Sequence, residues 1–237
     1  MKLEVFDDVD AVARVAAATI ATQARAAVAA RGRFTLAVSG GHTPWIMLRA
    51  LADLEVPWDG VHIFQVDERV APDGDPDRNL THLRESLLQH VSVTSEQVHA
   101  MPVESDDLEA AAIQYGDVLR RFSGSPPVLD LVHLGLGPDG HTASLVPGDP
   151  VLSVMDADVA LTGIYQGRRR MTLTYPVINR ARRIIWVVTG SEKSEALRHL
   201  LDGDVSIPAG RISRESALVL ADRASAGQLT AESKRGG

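Results

Sequence analysis

Cysteine is absent from the 237 residues, which excludes disulfides, thiolate zinc sites and a thiol nucleophile. Aromatic residues make up only 4% of a chain that is 45% hydrophobic. Val, Leu, Ile and Ala must therefore build the core, which suits buried parallel strands covered by helices. No apolar run approaches the ~18 residues of a membrane-spanning helix. Met1 to Asp10 carries four acidic residues and one lysine, where a secretory leader has a basic start and an apolar middle. A cytoplasmic address is the expectation. Basic charge is also short: 24 Lys and Arg stand against 31 Asp and Glu, a formal net charge of -7. A nucleic acid or an anionic membrane needs a broad basic patch, so neither is an expected partner. A small anionic metabolite is still compatible, because a local group of amides, arginines and a lysine can hold one within an acidic protein.

The pattern along the chain alternates strands and helices. Ala11 to Ala30 has apolar residues at helical spacing and ends on Arg31-Gly32-Arg33, a basic last turn with a terminal glycine. Phe34 to Val38 reads as a buried strand, and Thr43-Pro44 as an N-cap followed by proline at the first position of a helix running toward Asp53. Val61 to Val66 is the next strand, followed by a loop from Asp67 to Arg78 and a helix from Leu80 to His90. Leu108 to Phe122 predicts a helix, and Val128 to Leu134 an apolar strand entering a glycine-rich loop. Arg170 to Thr174 and Ile184 to Thr189 read as strands flanking a short helix near Val177; Ser191 to Leu201 is a helix and Ala217 to Leu220 a last strand. This order implies an α/β fold: a Rossmann-like, mostly parallel sheet with helices on both faces. With no internal repeat or linker, one domain over residues 1–237 is expected, its last ten or so residues flexible.

In such folds ligands sit outside the carboxyl ends of the strands, and three loops there carry unusual chemistry. Ser39-Gly40-Gly41-His42-Thr43-Pro44 has glycines that let amides approach an anion and a helix N-terminus beyond them. Alone it serves equally as a tight strand-to-helix turn. Val66-Asp67-Glu68-Arg69 puts two carboxylates and an arginine at a strand end, where they can orient a hydroxyl or bind an anion; a surface salt bridge is the commoner meaning. In Gly135-Leu136-Gly137-Pro138-Asp139-Gly140-His141-Thr142-Ala143-Ser144, three glycines bracket an acid and an imidazole. A lone loop histidine is usually a solvated residue, but Asp139 two positions earlier and the strand end beneath favour His141 as a proton carrier near neutral pH. His133, inside the apolar strand, reads as a hydrogen-bonded core residue. The other histidines show no metal-ligand spacing, so no metal and no cofactor are expected. Arg168-Arg169-Arg170 precedes a strand, and Lys193 follows Thr189-Gly190 at another strand end; Arg168 and Lys193 are candidates for an anionic substrate.

Together these loops resemble 6-phosphogluconolactonase, in the glucosamine/galactosamine-6-phosphate isomerase superfamily. The resemblance rests on Ser39-Gly40-Gly41 with Thr43-Pro44, Val66-Asp67-Glu68-Arg69 with Asn79, and Gly135 to Leu145. It extends through Arg169 to Leu173, Gly190 to Lys193 with Glu195-Ala196-Leu197, and Ile207-Pro208-Ala209 leading to Asp222. It implies a deaminase and ribose-phosphate isomerase-like fold and hydrolysis of 6-phospho-D-glucono-1,5-lactone, by a monomer. On this reading His141 activates water and Asp139 orients it, while amides around Gly137 to Gly140 face the oxyanion. Ser39, Gly40, Gly41 and Thr43 cradle the phosphate with Lys193 and either Arg69 or Arg168, and Asp67 faces the sugar. The competing branch, an amino-sugar-phosphate deaminase or isomerase, resembles D-G-H-I-A-F-N-E-P in the histidine loop; Thr142 to Pro147 has no glutamate there. A non-catalytic sugar-phosphate sensor is the remaining alternative. Arg78 stands where the family often has serine, and His42 occupies a variable place.

Overall fold

The computed structural model describes residues 1–227; the tail expected to be flexible lies outside the described residues. Lys2–Phe6 (β1) and Val9–Arg31 (α1) open the chain, followed by Phe34–Val38 (β2), His42–Ala52 (α2), Val61–Gln65 (β3), Asp67–Arg69 (β4), Asn79–Ser86 (α3) and Val98–His99 (β5). Leu108–Ser123 (α4), Leu131–Leu134 (β6), Val159–Leu161 (β7), Arg170–Leu173 (β8), Tyr175–Arg180 (α5), Ile184–Val188 (β9), Ser194–Asp202 (α6) and Ala217–Asp222 (β10) complete it. Among the described residues the main sheet has the order β1-β10-β9-β6-β2-β3-β5, with every pairing parallel.

Both faces of this sheet are covered, and the strands show it residue by residue. In β9, Ile184, Trp186 and Val188 enter one core with α4, α5 and α6, while Ile185 and Val187 enter the other, against α1, α2 and α3. The side-chain period of two sends successive residues to opposite faces. A strand buried on both sides therefore reads as a continuous apolar run. Helix α1 meets the sheet through Ala13, Ala16, Ala17, Ala21, Ala24 and Ala27, so much of its buried face is methyl-sized. The Asp8 carboxylate caps its first turn, accepting from the Ala11 N–H at 2.7 Å, and Gly32 closes it in the left-handed conformation.

Several expectations shift. β1 was not foreseen. It is a sheet-edge strand beside β10 and alternates polar with apolar residues over only five positions. The Thr43 N-cap is also wrong: Gly41 occupies that place, and the Thr43 hydroxyl bonds to Thr189 Oγ1 at 2.6 Å. Arg170 to Leu173 does form a strand, but in a second, antiparallel sheet of order β4-β8-β7. The chain reverses tightly at Tyr165 to Arg168, which returns β8 alongside β7 instead of feeding a parallel crossover.

The central position of β2, between β6 and β3, makes Leu36→Ala costly. It should lower unfolding free energy by about 2–5 kcal/mol in urea titration. Ile113→Ala, on the exposed face of α4 at 67% exposure, should stay within about 0.5 kcal/mol.

Candidate active site

The carboxyl ends of β2, β6 and β9 open into one cleft of about 540 Å³, closed on its other side by residues of the small sheet. Ser39, Gly40, Gly41 and Thr43 reach it from the loop between β2 and α2, Asp67 and Arg69 from β4, Gly137 and His141 from the loop after β6, and Lys193 from the turn after β9. These expected residues thus share one wall-to-wall space although more than 150 positions separate the first from the last. Asp139, Gly140 and Arg168 are not part of its lining.

Asp139 stands behind His141. Its Oδ1 accepts from the His141 backbone N–H at 3.1 Å and lies 2.6 Å from His141 Nδ1. A carboxylate only accepts, so Nδ1 carries the proton and Nε2 is the basic nitrogen. Among the described residues Nε2 has no protein hydrogen-bond partner. Burial works against the Asp139 charge, but the adjacent His141 imidazole, with hydrogen bonds from His141 and Tyr165, outweighs it and holds the carboxyl below the usual carboxylate range. The loop backbone closes on itself: the Gly137 N–H donates to His141 O at 2.8 Å and the Gly140 N–H to Gly137 O at 3.0 Å. Two of the amides expected to face an oxyanion, those of Gly137 and Gly140, are therefore already used. Gly140 instead ties the loop to the turn at Pro208–Arg211, its carbonyl accepting from the Ala209 N–H at 2.9 Å.

On the opposite wall, the Ser39 N–H donates to His133 Nδ1 at 3.3 Å and the Ser39 hydroxyl to His133 O at 3.0 Å. His133 is fully buried, and burial pushes its imidazole down to about 3. It is a neutral prop for the loop between β2 and α2, as a core residue should be. A Cβ on Gly40 would lie 1.9 Å from Asn79 Oδ1, so glycine lets this loop pass directly over α3.

Asp67 and Glu68 divide sharply. Glu68 has no solvent exposure; its carboxylate accepts from Gln65 Nε2 and from the backbone N–H groups of Arg69, Asn79 and Leu80, each at 2.8 Å. Buried Arg78 adds an ion pair at 3.2 Å, which explains the arginine at this position. Asp67 faces the cleft, its Oδ2 accepting from Ser144 Oγ at 2.6 Å and its Oδ1 from Asn79 Nδ2 at 3.3 Å. Arg69 donates to Asn79 Oδ1 and to Asp77 O, both at 2.8 Å.

Of the two arginines expected here, Arg69 lines the cleft and Arg168 does not. Arg168 pairs with Asp75 at 3.0 Å and Asp77 at 3.1 Å. Arg170, directly across the β4–β8 ladder from Arg69, lines the cleft instead and is 4% exposed. The Nε of Arg69 and that of Arg170 are both buried without a partner. Like charges opposite each other in a sheet are unfavourable, and burial followed by the Arg69 charge lowers the Arg170 guanidinium from its ordinary value, with Asp67 and Tyr165 opposing. An anion seated between them would satisfy such a pair. Lys193 is similarly lowered by burial, with Glu192 and Asp139 opposing. Tyr165 and Gln166 also escaped the sequence reading, since a turn without regular periodicity carries no signal for what it presents.

Fold and cleft define a doubly covered parallel-sheet α/β protein with its site at the carboxyl edge of the strands. The family model for glucosamine-6-phosphate isomerases/6-phosphogluconolactonase matches residues 7–220, and the chain belongs to that family. A 6-phosphogluconolactonase of Nostoc sp. is 36% identical over 236 residues, covering 96% of this chain and 98% of the relative. The structure of a 6-phosphogluconolactonase from Trypanosoma cruzi superposes with a TM-score of 0.86 at 25% identity, covering 97% of each chain. A monomeric glucosamine-6-phosphate deaminase shares the fold at a TM-score of 0.84 and 20% identity, covering 96% and 99%. Among the described residues no helix is long and apolar enough to cross a membrane.

A Cβ on Gly137 would stand 2.0 Å from His141 Nδ1. Gly137→Ala should therefore displace the imidazole and cut turnover by about 100-fold or more, with an unchanged far-ultraviolet circular dichroism spectrum.

Proposed function

We propose that the chain hydrolyses 6-phospho-D-glucono-1,5-lactone to 6-phospho-D-gluconate in the oxidative pentose phosphate pathway, with His141 as general base. The observation that carries this reading is His141, backed by Asp139 and with its Nε2 unpaired, in the same cleft as Arg69, Arg170 and Lys193. Nε2 takes a proton from water as the water oxygen bonds to the lactone carbonyl carbon. The negative charge developing on the carbonyl oxygen meets Arg69, the lining arginine not given to the phosphate. When the ring C–O bond breaks, the imidazolium returns the proton to the departing ring oxygen. Asp139 stabilises the transient imidazolium.

The phosphate rests between the Ser39 to Thr43 loop, Lys193 and Arg170, so that remote binding positions the reacting carbonyl. An isomerase would need Asp67 as a carbon base, but both of its oxygens already accept hydrogen bonds. The proposal takes one domain over residues 1–237 acting as a cytoplasmic monomer, without cofactor, metal, nucleic acid or membrane.

His141→Asn should lower kcat by about 10²–10⁴-fold in an assay corrected for spontaneous lactone hydrolysis. Wild-type turnover sinks the assignment. Lys193→Ala and Arg170→Ala should each raise KM for the phosphorylated lactone about tenfold or more while leaving KM for unphosphorylated glucono-1,5-lactone within about twofold; equal effects on both lactones would move the phosphate elsewhere.

The pH dependence has two sides. Toward acid, Asp139 is held below the usual carboxylate range and keeps its charge where a free carboxylate begins to lose it. Toward alkali, a lysine lowered by burial loses its charge earlier than a free one. Inhibition by 6-phosphogluconate should therefore weaken at a lower pH than ordinary lysine titration predicts, and Lys193→Ala should remove that limb.

A further inference from the structure

The small sheet brings a residue to the histidine loop that the lactonase reading does not use. β7 and β8 are joined by a tight reversal in which the Tyr165 N–H donates to Arg168 O at 3.0 Å and the Arg168 N–H to Tyr165 O at 3.3 Å. The two residues between them, Gln166 and Gly167, have φ of 50° and 80°. Positive φ at both central positions is the mark of the mirror-image turn whose twist suits a two-residue hairpin. A glutamine is uncommon in that region. The tip is fixed on two sides: Arg168 ties it to Asp75 and Asp77, and Arg170 Nη2 donates to Gln166 Oε1 at 2.9 Å.

This tip delivers Tyr165 to the back of the dyad. Its hydroxyl donates to Asp139 Oδ2 at 3.1 Å, and its ring stands edge-on to His141, with centroids 5.5 Å apart and planes at 65°. The Arg170 guanidinium lies over the tyrosine ring, 4.9 Å from its centroid. Burial first, then the Asp139 hydrogen bond and charge, raise the phenol above its ordinary value, so it stays a donor. Lys193 also interacts electrostatically with this carboxylate.

We infer that Tyr165 is a positioning residue for the His141–Asp139 pair: by occupying Oδ2 it stops the carboxylate from rotating and leaves Oδ1 to hold the imidazole through Nδ1. The inference rests on the lactonase reading for its kinetic consequence, though not for its geometry. With one oxygen pinned by Tyr165 and the other engaged by both the backbone and the ring of His141, a short side chain has no free rotation left. The same hydrogen bond draws charge from the carboxylate. Without it, Asp139 stabilises the imidazolium more strongly, and the acid limb of activity moves to higher pH.

The test compares wild type, Tyr165→Phe, Asp139→Asn and the double variant. Tyr165→Phe should lower kcat about three- to tenfold, the range for one lost hydrogen bond, with KM within about twofold and the acid limb of the kcat/KM profile displaced upward. In the Asp139→Asn background the same change should cost nothing further, because its route is gone. Wild-type kcat with an unmoved limb in Tyr165→Phe, or an undiminished loss in the Asp139→Asn background, overturns the proposal. A readout independent of turnover separates this from the activity itself. Titration of the His141 ring by nuclear magnetic resonance should give a higher midpoint in Tyr165→Phe than in wild type. If wild type fails to hydrolyse the lactone, the lactonase reading falls, and the titration still decides: a shifted midpoint upholds the role of Tyr165, and identical midpoints end it.

Discussion

The Glu68 carboxylate sits out of contact with solvent where β4 leaves the main sheet, and four N–H donors and the Arg78 guanidinium converge on it. An unpaired charge there would be prohibitive, so the donors and the acid must assemble together. Two of the donors are the backbone amides of Asn79 and Leu80, which belong to the otherwise unsatisfied first turn of α3. The interaction thus sets the start of that helix, and with it Asn79, which in turn bonds to Asp67 and Arg69. Both cleft-facing groups of β4 depend on a neighbour that never touches the cleft.

An acidic protein that binds an anion must place a few cations where their own carboxylates cannot reach them. The acidic loop after β4 absorbs Arg168 through Asp75 and Asp77, while Arg170, two residues further on, lies within the strand opposite Arg69. Two guanidiniums forced into register on a ladder, each with a buried Nε lacking a partner, are held at an energetic disadvantage that an anion between them would relieve. Net charge excluded polyanions in the sequence but says nothing of such a local arrangement, because the field in a cleft is set by its lining.

The legibility of the chain follows from the range of the forces involved. β2, β3, β6 and β9 were readable because burial on both faces leaves an uninterrupted apolar run, and the glycine-rich loops after β2 and β6 were readable because close approach demands glycine at Gly40 and Gly137. β1 was not, since an edge strand of five alternating residues resembles a polar terminus. The small antiparallel sheet was not, because its identity lies in a turn built on Gln166-Gly167 with no Asn-Gly or Asp-Gly signal. Arg168 was chosen over Arg170 for the same reason. Three consecutive arginines are equivalent in sequence, and only the ladder register separates a strand position from the base of a hairpin.

That contrast divides the cleft into two kinds of construction. The His141–Asp139 pair is local: an acid two residues before a histidine folds back on both its N–H groups within one turn, closed by Gly137 and Gly140. The contact between acid and imidazole is made within the loop, which is why the motif alone pointed to it, while Tyr165 fixes the remaining carboxylate oxygen from outside. The cationic wall is non-local, assembled from β4, β8 and the segment after β9, and it exists only once both sheets have formed. Tyr165 joins the two, with Asp139 at its hydroxyl and Arg170 on its ring face. A change in the hairpin therefore has two routes into the site. One runs through the carboxylate that holds His141, the other through the Arg170 guanidinium on the cleft wall. The first acts at Asp139 and the second at Arg170, so combining a Tyr165 variant with a change at each of them in turn separates the two.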